Sequence, residues 1–192
     1  MTRVEKNIKR VFDVFFSFIG LILLGWVILL VAVISKIFIK GKGFFKQKRI
    51  GQYGKEFIIY KIETIHPEEA KKENPYISEF GQFIRKYKID EFPQLWNVLE
   101  GTMSFVGPRP DLPEYLDMLE EKAKVILNIK PGITGPATLY YRNEEKLLNL
   151  QKKPKEYNKE VIWPQKVAMN TKYINEYSFV KDIYYIYKTL FS

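Results

Sequence analysis

The sequence predicts an α+β, mostly helical protein: an apolar N-terminal segment followed by a small folded region with a short β-hairpin. Three observations predict it. No residue from Val14 to Ser35 is charged, and this Leu-, Ile-, Val- and Phe-rich run is long enough to cross a bilayer, for which about 20 apolar residues suffice. Two strand-like runs, Phe44 to Ile50 and Glu56 to Ile65, flank the turn Gly51-Gln52-Tyr53-Gly54. Beyond them, apolar residues recur at helical spacing between Gly- and Pro-rich loops. The division expected is residues 1–40 as membrane anchor and 41–192 as one folded domain.

Composition narrows the chemistry. The chain is 46% apolar and 16% aromatic, enough for a sizeable core. With no cysteine, disulfides, thiolate zinc sites and cysteine nucleophiles are excluded. The single histidine, His66, rules out a multi-histidine metal site and weakens any triad built on imidazole. A formal net charge of +9 favours phosphate-bearing substrates or an anionic membrane face. Nucleic acid is not expected, because neither zinc-finger ligands nor an aromatic RNA-binding signature accompanies the charge.

The apolar run has basic residues on both sides: Arg3, Lys6, Lys9 and Arg10 before it, and Lys36, Lys40, Lys42, Lys46, Lys48 and Arg49 after it. Lys and Arg prefer the cytoplasmic side, so a spanning helix leaves one cluster misplaced and a re-entrant one does not. Gly20 and Gly25 offer points of bending. Charge alone leaves the spanning and re-entrant forms open.

In the folded region, His66 to Pro75 reads as a charged loop. Tyr76, Phe80, Phe83 and Tyr87 then recur at helical spacing, with Arg85, Lys86 and Lys88 at the end. Such a stripe suits a helix lying in the membrane interface or one facing a core. A helix is expected from Asp90 to about Leu99, with Asp90 as cap, Pro93 in the first turn and Gly101 as stop. Phe105 to Pro110 and Pro131 to Pro136 read as rigid loops, Leu112 to Leu127 as a helix, and the tail from Trp163 as helical.

Three features carry chemistry: the adjacent carboxylates Asp90-Glu91, Arg109 between Pro108 and Pro110, and Arg142-Asn143. Each has an ordinary reading, since acids at a helix start complement its dipole and exposed arginines join weak ion pairs. Together they suit phosphate chemistry. An arginine fork matches a phosphate, and flanking prolines restrict the backbone that carries it. Mg²⁺ is commonly held by one or two carboxylates plus substrate phosphates, and a carboxylate can attack phosphorus to form an acyl phosphate. The residues alone do not say which carboxylate does which job.

The block Ile89-Asp-Glu-Phe-Pro-Gln-Leu-Trp-Asn-Val-Leu-Glu-Gly-Thr-Met-Ser-Phe-Val-Gly-Pro-Arg-Pro110 resembles the signature of the bacterial sugar transferases, the monotopic phosphoglycosyl transferases. Lys9-Arg10, Asp13, Phe44-Phe45, Gln47, Arg49, Gly51, Pro131 to Gly135, Arg142-Asn143, Tyr173 and Ser178 extend the resemblance over almost the whole chain. The length resembles the family's small form. The resemblance implies a re-entrant helix-break-helix at the bacterial inner membrane and a catalytic domain on its cytoplasmic face.

The activity implied is transfer of a sugar-1-phosphate from a UDP-sugar to polyprenol phosphate, undecaprenyl phosphate included, with release of UMP. The Asp matching Asp90 would be the nucleophile, forming a covalent phosphosugar intermediate, and the Glu matching Glu91 would be associated with Mg²⁺. Arg109 is assigned to a phosphate contact, with Pro108 and Pro110 beside it; Arg85 and Arg142 are assigned to phosphate or carrier. Such a reaction begins glycoconjugate and polysaccharide assembly. The partners implied are the UDP-sugar donor, the polyprenol acceptor and membrane lipid. The oligomeric state stays open, a homodimer included. The alternatives are a catalytically altered paralogue and a membrane-anchored scaffold that binds carrier or anionic lipid.

The chain departs from the family pattern at several positions. Gly25-Trp26 stands where Ser-Pro is common at the break, Thr102 replaces Asp, Pro136-Ala-Thr138 replaces Trp-Ala-Gln, and Asn170 replaces Asp. Glu63 stands at a usually basic position, with weaker donor binding expected.

Overall fold

With no proline to interrupt it, the N-terminal apolar sequence forms a single helix, α1 (Arg3–Ile39). The computed structural model describes residues 1–72, 75–116 and 118–191. At 1.5 Å per residue, α1 is about 55 Å long, more than a bilayer core requires. Its helical assignment runs through Gly20 and Gly25, so no break in the helix occurs where one was expected. Unlike proline, glycine keeps its N–H and continues the hydrogen-bond ladder.

The chain is α+β and mostly helical, and it divides into two compact units. One comprises Phe12–Lys48 and Phe57–Gly101; the other comprises Met1–Val11, Arg49–Glu56 and Thr102–Ser192.

In the first of these, α1 is followed by the hairpin strands β1 (Phe44–Ile50) and β2 (Glu56–Ile62), then α2 (Glu79–Lys86) and α3 (Gln94–Glu100). The hairpin tip, Gln52–Gly54, belongs to the other unit and turns through positive φ at Tyr53 and Gly54. β2 stops at Ile62, three residues before its expected end, and Glu63 just beyond it turns its carboxylate onto the loop after α1. Glu63 Oε2 accepts from Lys42 N at 2.5 Å and Gly43 N at 3.3 Å, while the Ser35 hydroxyl donates to the Glu63 carbonyl. Glu63 is thus a backbone anchor.

The apolar helix touches this unit at its middle and near its C-terminal end. A Cβ on Gly20 would come within 3.1 Å of Leu95 Cδ1, and the Phe38 and Phe80 rings lie 5.7 Å apart. Between those contacts, a Cβ on Gly25 would meet nothing within 4 Å, and Ile22, Leu23, Trp26, Leu29 and Leu30 are exposed. Such an apolar surface is too extensive for water and suits lipid.

Ser78 caps α2 by accepting from Gly81 N at 3.2 Å, a role that serine fills well before a first turn. α2 buries Gly81 and Ile84 and exposes Phe83 and Tyr87. Phe83 and Tyr87 of the aromatic stripe therefore face outward, which resolves the core-or-interface alternative against the core for these two rings, while Phe80 is half-buried beside Phe38.

The second unit holds a parallel pair, β3 (Ser104–Val106) and β4 (Gly132–Thr134), in register Ser104 with Gly132 and Val106 with Thr134. Both segments were expected as loops. Runs of three residues carry too little periodicity to reveal a strand, and only a distant partner makes them one. Gly132 is needed for the close approach, since a Cβ there would lie 2.1 Å from Gly107 N. The expected helix over 112–127 is instead two 3₁₀ stretches, Pro113–Tyr115 and Glu121–Asn128, with position 117 outside the described residues.

After α4 (Pro136–Tyr140), α5 (Glu144–Asn149) and α6 (Pro154–Tyr157), a π turn leads into α7 (Trp163–Asn175) and then α8 (Phe179–Phe191), the helical tail expected. Val106, Ile126, Ile129, Tyr173 and Ile174 form this unit's core.

Asp182 of α8 closes it electrostatically. Lys9 Nζ donates to Asp182 Oδ2 at 2.5 Å, the Tyr173 hydroxyl donates to Oδ1, and Tyr177 donates to Oδ2 at 3.2 Å, all largely out of water. Asp182→Ala would leave the Lys9 ammonium buried without its counter-ion, so it is expected to lower unfolding stability by about 3–5 kcal/mol. Replacing both partners (Lys9→Met with Asp182→Leu) is expected to recover most of that loss in detergent-solubilised protein. A double variant as unstable as the single one would show that the pair is not the source.

Candidate active site

α2 ends at Tyr87, and Lys88 reverses the chain in the left-handed region at φ 57° and ψ 22°. Glu91 N then donates to Lys88 O at 3.1 Å, closing a 3₁₀ turn over Ile89–Glu91. Asp90 and Glu91 occupy that turn, and α3 starts later, at Gln94. The expected helix from Asp90 is therefore shorter, and Asp90 does not cap it; Pro93 stands at the cap with no side-chain bond. Gly101 ends α3 at φ 95°, as expected.

Freed from capping, the two carboxylates are buried side by side, each 8% exposed. Glu91 Oε1 accepts from Lys61 Nζ at 2.9 Å. Asp90 Oδ1 is buried with no hydrogen-bond partner. Burial holds the Asp90 carboxyl above the ordinary aspartate range, and the neighbouring Glu91 charge adds to the effect; Lys61, Lys88 and Arg85 oppose it. An unpaired buried acceptor is costly, so a site that retains one is a candidate for chemistry.

Asn97 joins the elements that carry this site. Wholly buried, it accepts from Tyr60 N at 3.1 Å and donates to Ile58 O at 2.7 Å, as a neighbouring strand would. It thereby fixes α3 against β2, which carries Lys61. The sequence reading missed Asn97, Lys61 and Lys88 as site residues. Asn97 and Lys88 lie in or beside the long signature block, but nothing in their spacing announces burial or backbone strain.

Of the expected site residues, Arg85, Asp90 and Glu91 lie in the unit just described, and Pro108, Arg109, Pro110 and Arg142 lie in the other. There the Pro-Arg-Pro loop follows β3. Gly132 N donates to Pro108 O at 2.8 Å, and Arg49 Nη1 donates to Pro110 O at 3.2 Å. Both prolines are buried and Arg109 is half-buried. Arg109 lines a pocket with Asp111, Tyr115, Leu116, Ile126 and Pro131. Burial pushes the Asp111 carboxyl up, against the pull of Lys166, Trp163, Arg49 and Arg109. Arg142 is exposed, and its Nη2 donates to Thr189 O at 3.4 Å.

Among the described residues, no three acidic or histidine side chains converge as a closed metal cage. Mg²⁺ does not require one, because it keeps open positions for water and substrate phosphates. Adjacent hard carboxylate oxygens, one of them unpartnered, are a donor set that fits it.

The bacterial sugar transferase model matches residues 4–192. The chain belongs to that family. This bacterial sugar transferase is 35% identical to the uncharacterized sugar transferase EpsL of Bacillus subtilis, over 92% of its own length and 82% of the relative's. It is 35% identical to a putative undecaprenyl-phosphate N-acetylgalactosaminyl 1-phosphate transferase of the same organism, over 60% of its own length and 68% of the relative's. It is 34% identical to a UDP-glucose:undecaprenyl-phosphate glucose-1-phosphate transferase of Xanthomonas campestris, over 80% of its own length and 34% of the relative's.

For an acid whose folded-state pKa is raised, the stabilising contribution is present below the unfolded-state pKa and is lost as pH rises through the folded one. At neutral pH the Asp90 carboxylate thus weakens the fold. Asp90→Asn is expected to unfold at a higher temperature than the parent in metal-free buffer, with the gap widening from acid to neutral pH. The same substitution is expected to reduce turnover by at least about a thousandfold. Equal unfolding temperatures across that range would mean that Asp90 is solvated.

Proposed function

We propose that this sugar transferase is a phosphoglycosyl transferase that moves a sugar-1-phosphate from a UDP-sugar to polyprenol phosphate. The observation that carries the reading is the buried Asp90-Glu91 pair, in which Asp90 Oδ1 lacks a partner while Glu91 is tied to Lys61. The names of the relatives from Bacillus subtilis and Xanthomonas campestris support the same class of reaction.

In the first step the Asp90 carboxylate attacks the phosphorus that bears the sugar. An Asp90 oxygen–phosphorus bond forms, the bond from that phosphorus to the oxygen bridging to UMP breaks, and UMP leaves as an anion. In the second step a phosphate oxygen of the polyprenol carrier attacks the same phosphorus. The Asp90 bond breaks, the carboxylate is regenerated, and the product is a polyprenol diphosphate sugar.

A carboxylate kept from water needs no capping bond to be broken before it attacks. Arg85, near Asp90, balances negative charge as phosphate arrives. Arg109, carried on its proline-braced loop, is assigned to a phosphate contact, and Arg142 to phosphate or carrier. Glu91, with Asp90 beside it, would hold Mg²⁺, which neutralises diphosphate charge and eases departure of UMP.

The site works at a membrane surface in this reading. α1, helical from Arg3 to Ile39, would return to the face it left, the bacterial cytoplasmic face where the catalytic domain lies, by bending within the helix rather than by a break in its hydrogen-bond ladder. Basic residues on both flanks of the apolar run support this arrangement. The outward rings of Phe83 and Tyr87 suit the headgroup region.

Purified protein given Mg²⁺, undecaprenyl phosphate and a panel of UDP-sugars is expected to release UMP with the correct sugar. Release of UDP would indicate direct glycosyl transfer and remove Asp90 from the nucleophile's role. For topology, single cysteines replacing Lys6 and Lys40 are expected to react with an impermeant maleimide from the same membrane face. Labelling from opposite faces would make α1 a spanning anchor.

A further inference from the structure

Lys88 is a lysine in a backbone conformation that normally belongs to glycine. It follows the last turn of α2, where a left-handed residue commonly ends a helix and glycine is preferred because it lacks a Cβ. Lys88 N donates to Arg85 O at 3.2 Å, and Lys88 O accepts from Glu91 N at 3.1 Å, so the reversal is hydrogen-bonded on both sides. The turn is complete with backbone atoms alone. Its side chain adds nothing to that geometry, and a Cβ there is a steric burden.

What the side chain does supply is a charge beside the reacting carboxylate. Lys61, Lys88 and Arg85 are cations whose charges act on Asp90. Lys61 is engaged with Glu91, and Arg85 has other interactions. Among the described residues, the Lys88 ammonium is within ion-pair distance of no carboxylate, and the residue is exposed. Lys86 already provides a cation in the last turn of α2, so complementing the helix dipole does not require a lysine at 88 as well. A strained position that keeps an unengaged cation two residues from an unpartnered buried carboxylate points to an anionic ligand.

We propose that Lys88 binds a phosphate group of the substrate at Asp90, and that the left-handed turn exists to present its ammonium there. This rests on the transferase reading above for the identity of the substrates. Two of them carry phosphate, the nucleotide sugar and the polyprenol carrier, and the chemistry of an ammonium does not distinguish them.

Full-length protein in lipid nanodiscs distinguishes them by equilibrium binding of UDP in one arm and of farnesyl phosphate in the other. Wild type, Lys88→Gly, Lys88→Gln and Lys88→Arg are compared at low salt, with thermal unfolding of each. For the arm whose phosphate Lys88 meets, Lys88→Gly and Lys88→Gln are expected to weaken binding about tenfold, and Lys88→Arg to stay near wild type. Lys88→Gly is expected to unfold at the same temperature as wild type or higher, because glycine suits the turn. A purely structural lysine would not show weaker binding together with retained or increased stability.

Loss in the UDP arm assigns Lys88 to the donor diphosphate, and loss in the farnesyl phosphate arm assigns it to the carrier. Unchanged binding of both by Lys88→Gly overturns the proposal. UMP release by the wild type is read separately. Lys88-dependent binding without turnover would sink the transferase reading alone, and turnover with Lys88-independent binding would sink this proposal alone.

Discussion

The rest of the structure depends on keeping Asp90 out of water next to a second carboxylate. Two adjacent acids repel each other and lose hydration on burial, so neither would remain there without compensation. Lys61 supplies part of it through Glu91, and Asn97 fixes the strand that carries Lys61 against the helix that follows Glu91. Asp90 is left with an unsatisfied oxygen. A fold that carries such a group must draw its stability from elsewhere.

The membrane segment follows a related logic. α1 exposes a long apolar surface, yet Lys9, Asp13, Ser17 and Ser35 on it are buried. These polar residues face protein, as do Ile28, Ala32 and Ile39, while most of the large apolar ones face outward, the reverse of a water-soluble helix. Ser17 returns its hydroxyl to the Asp13 carbonyl, Ser35 reaches the backbone at Glu63, and Lys9 meets Asp182. Each buried polar group thus finds a partner where lipid would offer none. Glu63, out of pattern for its family, is explained by the same constraint: its carboxylate satisfies two backbone N–H groups in the loop leaving α1.

The fold was legible where a signal is local. The uncharged run, the hairpin with its Gly-Gln-Tyr-Gly turn and the Gly101 stop depend on residues within a few positions of one another, and all appear close to where they were expected. β3 and β4 were not legible, because each is a strand only by virtue of the other. The 3₁₀ stretches after Leu112 read as one helix because an apolar repeat of three resembles one of three and four over a short span.

By itself the sequence determined the family, through a signature block and a family match over residues 4–192, and it determined the chemical inventory. Without cysteine, and with one histidine, phosphate chemistry had to rest on carboxylates, arginines and lysines. Only the tertiary structure decided the state of each group. It removed Asp90 from a capping role, paired Glu91 with Lys61, and turned Phe83 and Tyr87 outward. It also held Lys88 in a left-handed turn. The physical reason is that residue type and spacing are properties of the chain, whereas desolvation, pairing and backbone strain are set by neighbours that only folding brings together.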